Sequence, residues 1–346
     1  MVGIRDSEYS MKVVGHFGDG ALENVPDQVR RLECLGFDIA GTSEVKHEAT
    51  MRWTLAAHAS TSIEISTHVI IAFPRSPFVL AQMAWELQRM TAGRVSIGLG
   101  SQVKGHNERR FSTGMWRSPA RRMEDFIRSM RVVWATFQSG DLVPYEGEFY
   151  QFTLCPPAFN MGPNDVPFPK IYLAAVGPEM TKVAGRVADG LLPHAFTTPK
   201  YVHEVTLPTL RKAAIAEGRD PADISINGGG LMALGADDAA VEAELLKLRS
   251  RVAFYGSTRT YHGVFAVHGL EDLGMKLHEM SVTGQWDKMP DAISLDVVRE
   301  FTTHGTFDTM ADTIANRLNY ASRVSIPESA GSDEQIAELV KQIKAI

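Results

Sequence analysis

The chain has 346 residues, is 44% hydrophobic, and carries a formal charge of −6 with 11 histidines and 2 cysteines. A chain this long and this apolar buries a large core, which excludes disulfide-built and disordered classes and leaves one large α/β barrel or two ordinary domains. Interspersed charge signs, with no Lys/Arg block among aromatics, argue against a nucleic-acid partner, and no apolar stretch reaches membrane-span length.

The first residues, MVGIRDSEYS, have charges where a signal peptide needs its apolar region, so a cytoplasmic protein acting on a small-molecule substrate is expected. Apolar β-rich runs alternate with helical periods along nearly the whole chain, the sign of βα units around a parallel sheet. Strands are predicted at Met11–Val14, Phe37–Ala40, Ile63–Ile71, Arg94–Leu99, Ile171–Ala175, Gly190–Leu192, Ile224–Leu231 and Arg323–Ile326. Eight is the number that closes a (β/α)8 TIM barrel.

Asn24 with Pro26, Ser76 with Pro77, Ser118 with Pro119 and Thr198 with Pro199 each read as a helix N-cap followed by a proline in the first turn. After Pro119, the residues Met123, Phe126, Ile127, Met130, Val133, Trp134 and Phe137 recur at helical steps opposite a charged face, which predicts a core-facing stripe. Cys34 falls in an amphipathic helix pattern, where a buried, inert thiol is expected. Two stretches break the rhythm, 140–170 with its hairpin-like YEGEFYQF and 257–303, and both read as insertions in a single domain spanning 1–346.

In a barrel of this kind the working groups follow the strands at their carboxyl ends. That filter passes His16, Glu44, His47, His68, the run 98–106, the run 174–180 and His194. The absence of HxH, HExxH and GxSxG patterns gives a zinc site and a serine hydrolase no support.

Within IYLAAVGPEMTKVAGRVADGLL, Ala174 and Ala175 leave room beside the backbone, Gly177 permits close approach, and Pro178 fits the first turn of a helix. A helix N-terminus aimed at the barrel mouth is an anion site suited to phosphate; the same pattern also fits a tight connection without a ligand. In RVSIGLGSQVKGHNERRF, Gly98 and Gly100 do not form a dinucleotide fingerprint, because the third glycine is replaced by Val103; they read as positions where a flat ring or a cofactor chain lies against the backbone.

These two stretches, the second within THVIIAFPRSPFVLAQMAWELQRMTAGRVSIGLGSQVKGHNERRF, closely resemble the bacterial luciferase-like superfamily of flavin and deazaflavin enzymes. GLGSQVKGHNERRF and FYGSTRTYHGVF are most similar to a branch that uses coenzyme F420. The resemblance implies a (β/α)8 barrel, usually dimeric, with a deazaflavin or flavin at the carboxyl end of the strands. By position it implies that Ala174, Ala175, Val176, Gly177 and Pro178 hold the cofactor chain and phosphate, and that Gly100, Ser101 and Gln102 border the ring or ribityl chain. Thr67, His68 and Val69 match the place where the family often has a bulge with a non-proline cis peptide.

The chain departs from the family's sugar-phosphate dehydrogenases, which read Ser-Asp-His after strand two where this sequence reads Ser43-Glu44-Val45. The expected activity is hydride transfer between coenzyme F420 and a small organic substrate, with His47, His16 and Glu44, in that order, as candidates for proton transfer. For Glu44, a salt bridge or helix cap competes with that role. An FMN-dependent monooxygenase of the same superfamily is the alternative, followed by a barrel that binds ligand without catalysis. Phe73, His106, Phe196, Tyr255, Arg259 and Tyr261 are candidates for the substrate pocket, against a packing cluster as the competing account of the last three.

Overall fold

The structure is a computed structural model that describes residues 10–18, 20–114 and 116–346. Eight strands, β1 (Lys12–His16), β2 (Ile39–Thr42), β3 (Glu64–Thr67), β4 (Val95–Gly100), β5 (Lys170–Ala175), β6 (Gly190–Pro193), β7 (Ser225–Gly228) and β8 (Arg323–Ser325), pair in parallel, each with the next. Lys12 lies opposite Arg323, so β8 returns to β1 and the sheet has no free edge. The fold is the expected (β/α)8 barrel.

Around it run α1 (Val25–Cys34), α2 (Ala49–Ala59), α3 (Pro77–Met90), α4 (Pro119–Ser139), α5 (Pro178–Val187) and α6 (Leu207–Ala216). The stripe predicted on α4 is buried along its length, from Met123 to Phe137, and the Trp134 indole N–H donates to the Ala81 carbonyl of α3 at 2.9 Å. The caps divide: Thr198 accepts from the Tyr201 N–H, whereas Asn24, Ser76 and Ser118 make no capping bond, and Asn24 and Ser118, at φ −82° and +42°, lack the extended backbone of an N-cap. Cys34 is exposed, contrary to expectation; it ends α1 on the side away from Val25, Val29 and Leu32.

Two predicted strands are each divided. Ile63–Ile71 is interrupted after Thr67 and resumes only at Ile70–Ile71, which pairs with Leu99 and Gly100. Ile224–Leu231 is broken at Gly230, whose φ of +103° favours glycine, and the chain then leaves the barrel. Leu231–Gly235 pairs with Thr302–Thr306, and between them lie α7 (Asp238–Gly256) and α8 (Glu271–Val282). The excursion is thus longer than the expected 257–303, and it builds its own core from Phe196, Phe265, Leu277, Val298 and Phe301. The chain re-enters the barrel through α9 (Met310–Arg317) and closes with α10 (Asp333–Lys344). In 140–170, Tyr145–Glu146 and Gln151–Phe152 form the expected hairpin.

Candidate active site

The carboxyl end of the barrel brings His16, at the tip of β1, against His68, just beyond β3. Their rings meet edge to face with centroids 5.4 Å apart. Gly41 of β2 makes room for both: a Cβ there would lie 3.3 Å from His16 Nδ1 and 3.3 Å from His68 Cγ. The His68–Val69 peptide is cis, at the position that the sequence pattern marks.

Burial lowers the pKa of His68 well below the ordinary histidine value, with His16 and the Arg323 guanidinium adding repulsion. His16 is also lowered by burial, against the opposing pull of Glu328 and a backbone bond at Gly41. Both rings are therefore neutral at pH 7. His68 Nε2 is buried and has no hydrogen-bond partner among the described residues.

Outside this pair a cavity of about 390 Å³ is lined by His16, His47, Ser43 and Glu328, among others. Glu328 follows β8 and places Oε2 3.4 Å from the His16 backbone N–H. Sequence reasoning missed it; the available signal was an acid two residues past the last predicted strand, on the end of the barrel that carries function. His47 is half-buried on the loop between β2 and α2.

Glu44 stands differently. Its two oxygens accept from Arg75 Nη1 and Nη2, both at 2.8 Å, and Oε2 also accepts from the Ile71 N–H at 2.8 Å. A carboxylate so fully engaged is a fastening for its loop, which corrects the proton-transfer expectation in favour of the salt bridge.

On the opposite side of the mouth, Gly177 is the N-cap of α5. No side chain caps this end, and a Cβ at Gly177 would meet nothing within 4 Å. The space expected beside Ala174 to Pro178 is present. Next to it the His194 N–H donates to the Ala175 carbonyl at 3.3 Å, and its ring lies between Tyr255 and Tyr261, with centroid distances of 4.8 and 4.7 Å. Burial pushes His194 down to about 4. Because its Nδ1 accepts the Phe196 N–H at 2.9 Å, the neutral ring carries its proton on Nε2.

Several expected contacts are rearranged. The Thr67 hydroxyl is spent on β4, donating to the Gly98 carbonyl and accepting the Gly98 N–H, each at 2.9 Å, so its side chain is not available to a cofactor. Gly98 and Gly100 answer to strand packing: a Cβ would fall 2.0 Å from the Thr67 carbonyl oxygen at the first and 2.6 Å from Val69 Cγ2 at the second.

Beyond them Ser101 is half-buried and Gln102 has φ +57°, with the buried Asn107 donating to the Ser101 carbonyl at 2.8 Å and holding the turn. Phe73 is buried against Trp116 and under the Arg122 guanidinium. His106 is exposed on a short helix, Lys104–Arg109, and Arg259 is exposed as well. Phe196 is fully buried and stacked on Phe301, so it anchors the excursion's core. Of the six pocket candidates, Phe196, Tyr255 and Tyr261 gather beyond the end of β6 around His194, with Phe196 the buried member.

Comparison with known proteins agrees with this architecture. The family model described as luciferase-like monooxygenase matches residues 8–322. An uncharacterized protein of Mycobacterium tuberculosis is 37% identical over 303 residues, covering 86% of this chain and 89% of the relative. A phthiodiolone/phenolphthiodiolone dimycocerosates ketoreductase of Mycobacterium kansasii is 28% identical over 317 residues, covering 88% and 84%.

Among solved structures, the coenzyme F420-dependent tetrahydromethanopterin reductase of Methanopyrus kandleri superimposes with a TM-score of 0.74 at 21% identity, covering 96% of this chain and 97% of that one. An F420-dependent secondary alcohol dehydrogenase gives a TM-score of 0.71 at 18% identity, covering 96% and 99%. The match of the family model across nearly the whole barrel places the chain in the luciferase-like monooxygenase family of oxidoreductases.

Proposed function

We propose that the protein is a coenzyme F420-dependent oxidoreductase that interconverts a small carbonyl compound and its alcohol. The observation that carries this reading is the joint placement of His16, His47 and Glu328 around one cavity beside the His68–Val69 crossing. Carbonyl–alcohol chemistry needs a proton at the substrate oxygen for every hydride at its carbon, and a histidine is suited to exchanging that proton near neutral pH.

The residues present fit a phosphate-bearing ring cofactor on two counts. The uncapped N-terminus of α5 beside Gly177 offers backbone N–H groups and open space, and His68 Nε2 is a buried polar atom lacking a partner among the described residues. Ala174, Ala175, Val176, Gly177 and Pro178 would hold the phosphate and its chain, while Val69, Ser101 and Gln102 would border the ring. When bound, the deazaflavin supplies or accepts hydride.

The chain's own groups do the rest. His47, on the half-buried loop, passes the hydroxyl proton between substrate and solvent. His16, held neutral by burial, hydrogen-bonds the substrate oxygen, and Glu328 favours whatever positive charge develops on the His16 ring. Tyr255 and Tyr261 stand apart from that cavity, packed on His194 beyond β6.

The test is fluorescence titration of the protein with coenzyme F420 and, separately, with FMN, in wild type and Gly177→Asp. F420 binding that the aspartate weakens at least tenfold supports the reading, because a carboxylate at the helix N-terminus repels the cofactor phosphate. Binding of FMN alone replaces it with a monooxygenase, and binding of neither removes the redox assignment.

A further inference from the structure

We propose that Arg75 is a positioning residue that fixes the His47 loop to the segment carrying His68 and Val69. This rests on the reading of His47 as the proton-transfer group, although the clamp itself is a statement about geometry. Arg75 does not line the cavity. Its guanidinium lies behind the cavity wall, with Nη1 donating to Glu44 Oε2 and to the Ile71 carbonyl, both at 2.8 Å, and Nη2 donating to Glu44 Oε1 at 2.8 Å and to Glu48 Oε1 at 2.6 Å.

These four bonds join two segments far apart in sequence. Glu44 and Glu48 bracket the loop that contributes Val45, Lys46 and His47 to the cavity, so one cation anchors both of its ends. Glu48 in turn caps α2, accepting the Met51 N–H at 2.8 Å, which passes the restraint into the helix. On the other side, the Glu44 N–H donates to the Val69 carbonyl at 3.1 Å, and Glu44 Oε2 accepts the Ile71 N–H. His47 and the His68–Val69 segment are thereby held in one frame.

The choice of residue follows from the acceptors. A guanidinium presents donors in a rigid planar fork that matches a carboxylate on one edge and reaches further acceptors on the other. Lysine, a point charge with three rotatable donors, cannot satisfy Glu44 bidentately while also spanning to Glu48 and Ile71. Without the cation, Glu44 and Glu48 repel each other and the loop between them loses its single arrangement. Pro74 and Pro77 flank Arg75, and the Arg75 N–H closes a turn on the Ala72 carbonyl at 2.9 Å, so the arginine backbone is itself fixed.

The test is NMR of protein labelled at histidine Cε1, with the His47 signal assigned by its loss in His47→Gln. In wild type His47 gives one narrow signal. In Arg75→Lys that signal is expected to broaden or split, while His203, remote from the loop, keeps its position. Glu48→Gln, which removes one anchor and leaves the buried Glu44–Arg75 pair intact, is expected to show the same change to a smaller degree and serves if Arg75→Lys does not fold.

Guanidinium ion added to Arg75→Gly is expected to restore the narrow signal. A His47 signal unchanged in Arg75→Lys, or unchanged in Glu48→Gln where only that variant folds, overturns the proposal. The catalytic reading is judged separately: F420-dependent turnover retained in His47→Gln removes His47 from the chemistry and leaves the clamp to be judged on the NMR result alone.

Discussion

His16 and His68 pack edge to face at the mouth of the barrel, both half-buried and both neutral, with Gly41 as the residue that lets two imidazoles share the space beside β2. Burial holds each pKa below its unfolded value near 6.5, so as pH falls below about 6.5 the unfolded chain takes up protons that the folded chain refuses. The stability that this pair contributes is complete above that pH and is lost progressively beneath it. The thermal midpoint is expected to fall between pH 7.5 and pH 5, and to fall less in His68→Leu; an equal fall in both proteins, measured by calorimetry, would assign the acid sensitivity to other groups.

His194 makes a second contribution of the same sign. Its pKa of about 4 against about 6.5 in the unfolded chain places the window between those values, with an effect of order 2 kcal/mol after allowance for partial solvent screening. His194→Gln should remove that part of the pH dependence. Histidine NMR provides a direct check: a His194 signal that titrates above pH 6 contradicts the assignment of a neutral ring with its proton on Nε2.

Gly98 and Gly177 predict opposite outcomes for one substitution. At Gly98 a Cβ meets the Thr67 carbonyl, which is backbone and cannot swing away, so Gly98→Ala is expected to cost about 3 kcal/mol or to prevent folding. At Gly177, with φ −80° and open space, Gly177→Ala should change stability by less than about 0.5 kcal/mol. Urea denaturation of the two variants measures both.

Glu44→Gln leaves the half-buried Arg75 guanidinium without its bidentate partner. A loss of about 2–3 kcal/mol is expected, with the larger cost of breaking a fully buried pair reduced here because Arg75 is 19% exposed. If Glu44 were instead a free acid in the cavity, the substitution would leave stability unchanged and shift only the pH profile of turnover.

The barrel was legible because it is written in local terms. Parallel strands buried on both faces read as apolar runs, and the α4 stripe from Met123 to Phe137 reads at helical spacing; these signals survive without knowledge of what packs against them. The division of two strands was not legible. Glu64–Thr67 and Ile70–Ile71 belong to one apolar run, and Leu231–Gly235 continues the pattern of β7 although it pairs with Thr302–Thr306 some seventy residues later. Partner choice in a sheet depends on register across strands, which hydrophobicity along one strand does not record.

By itself the sequence determined the eightfold alternation, the strand ends on which His16, His47, His68 and the Ala174–Pro178 segment stand, and the open helix start at Gly177. Tertiary structure alone decided which of those groups meet. It brought Glu328 from the last strand to His16 on the first, sequestered Glu44 under Arg75, turned Thr67 and Gly98 toward each other, and drew Phe196 into the core of the excursion. The physical reason is that exposure and charge pairing are properties of closure: a carboxylate, a hydroxyl or an aromatic ring takes its role from the nearest partner in space, and barrel closure joins residues more than three hundred positions apart.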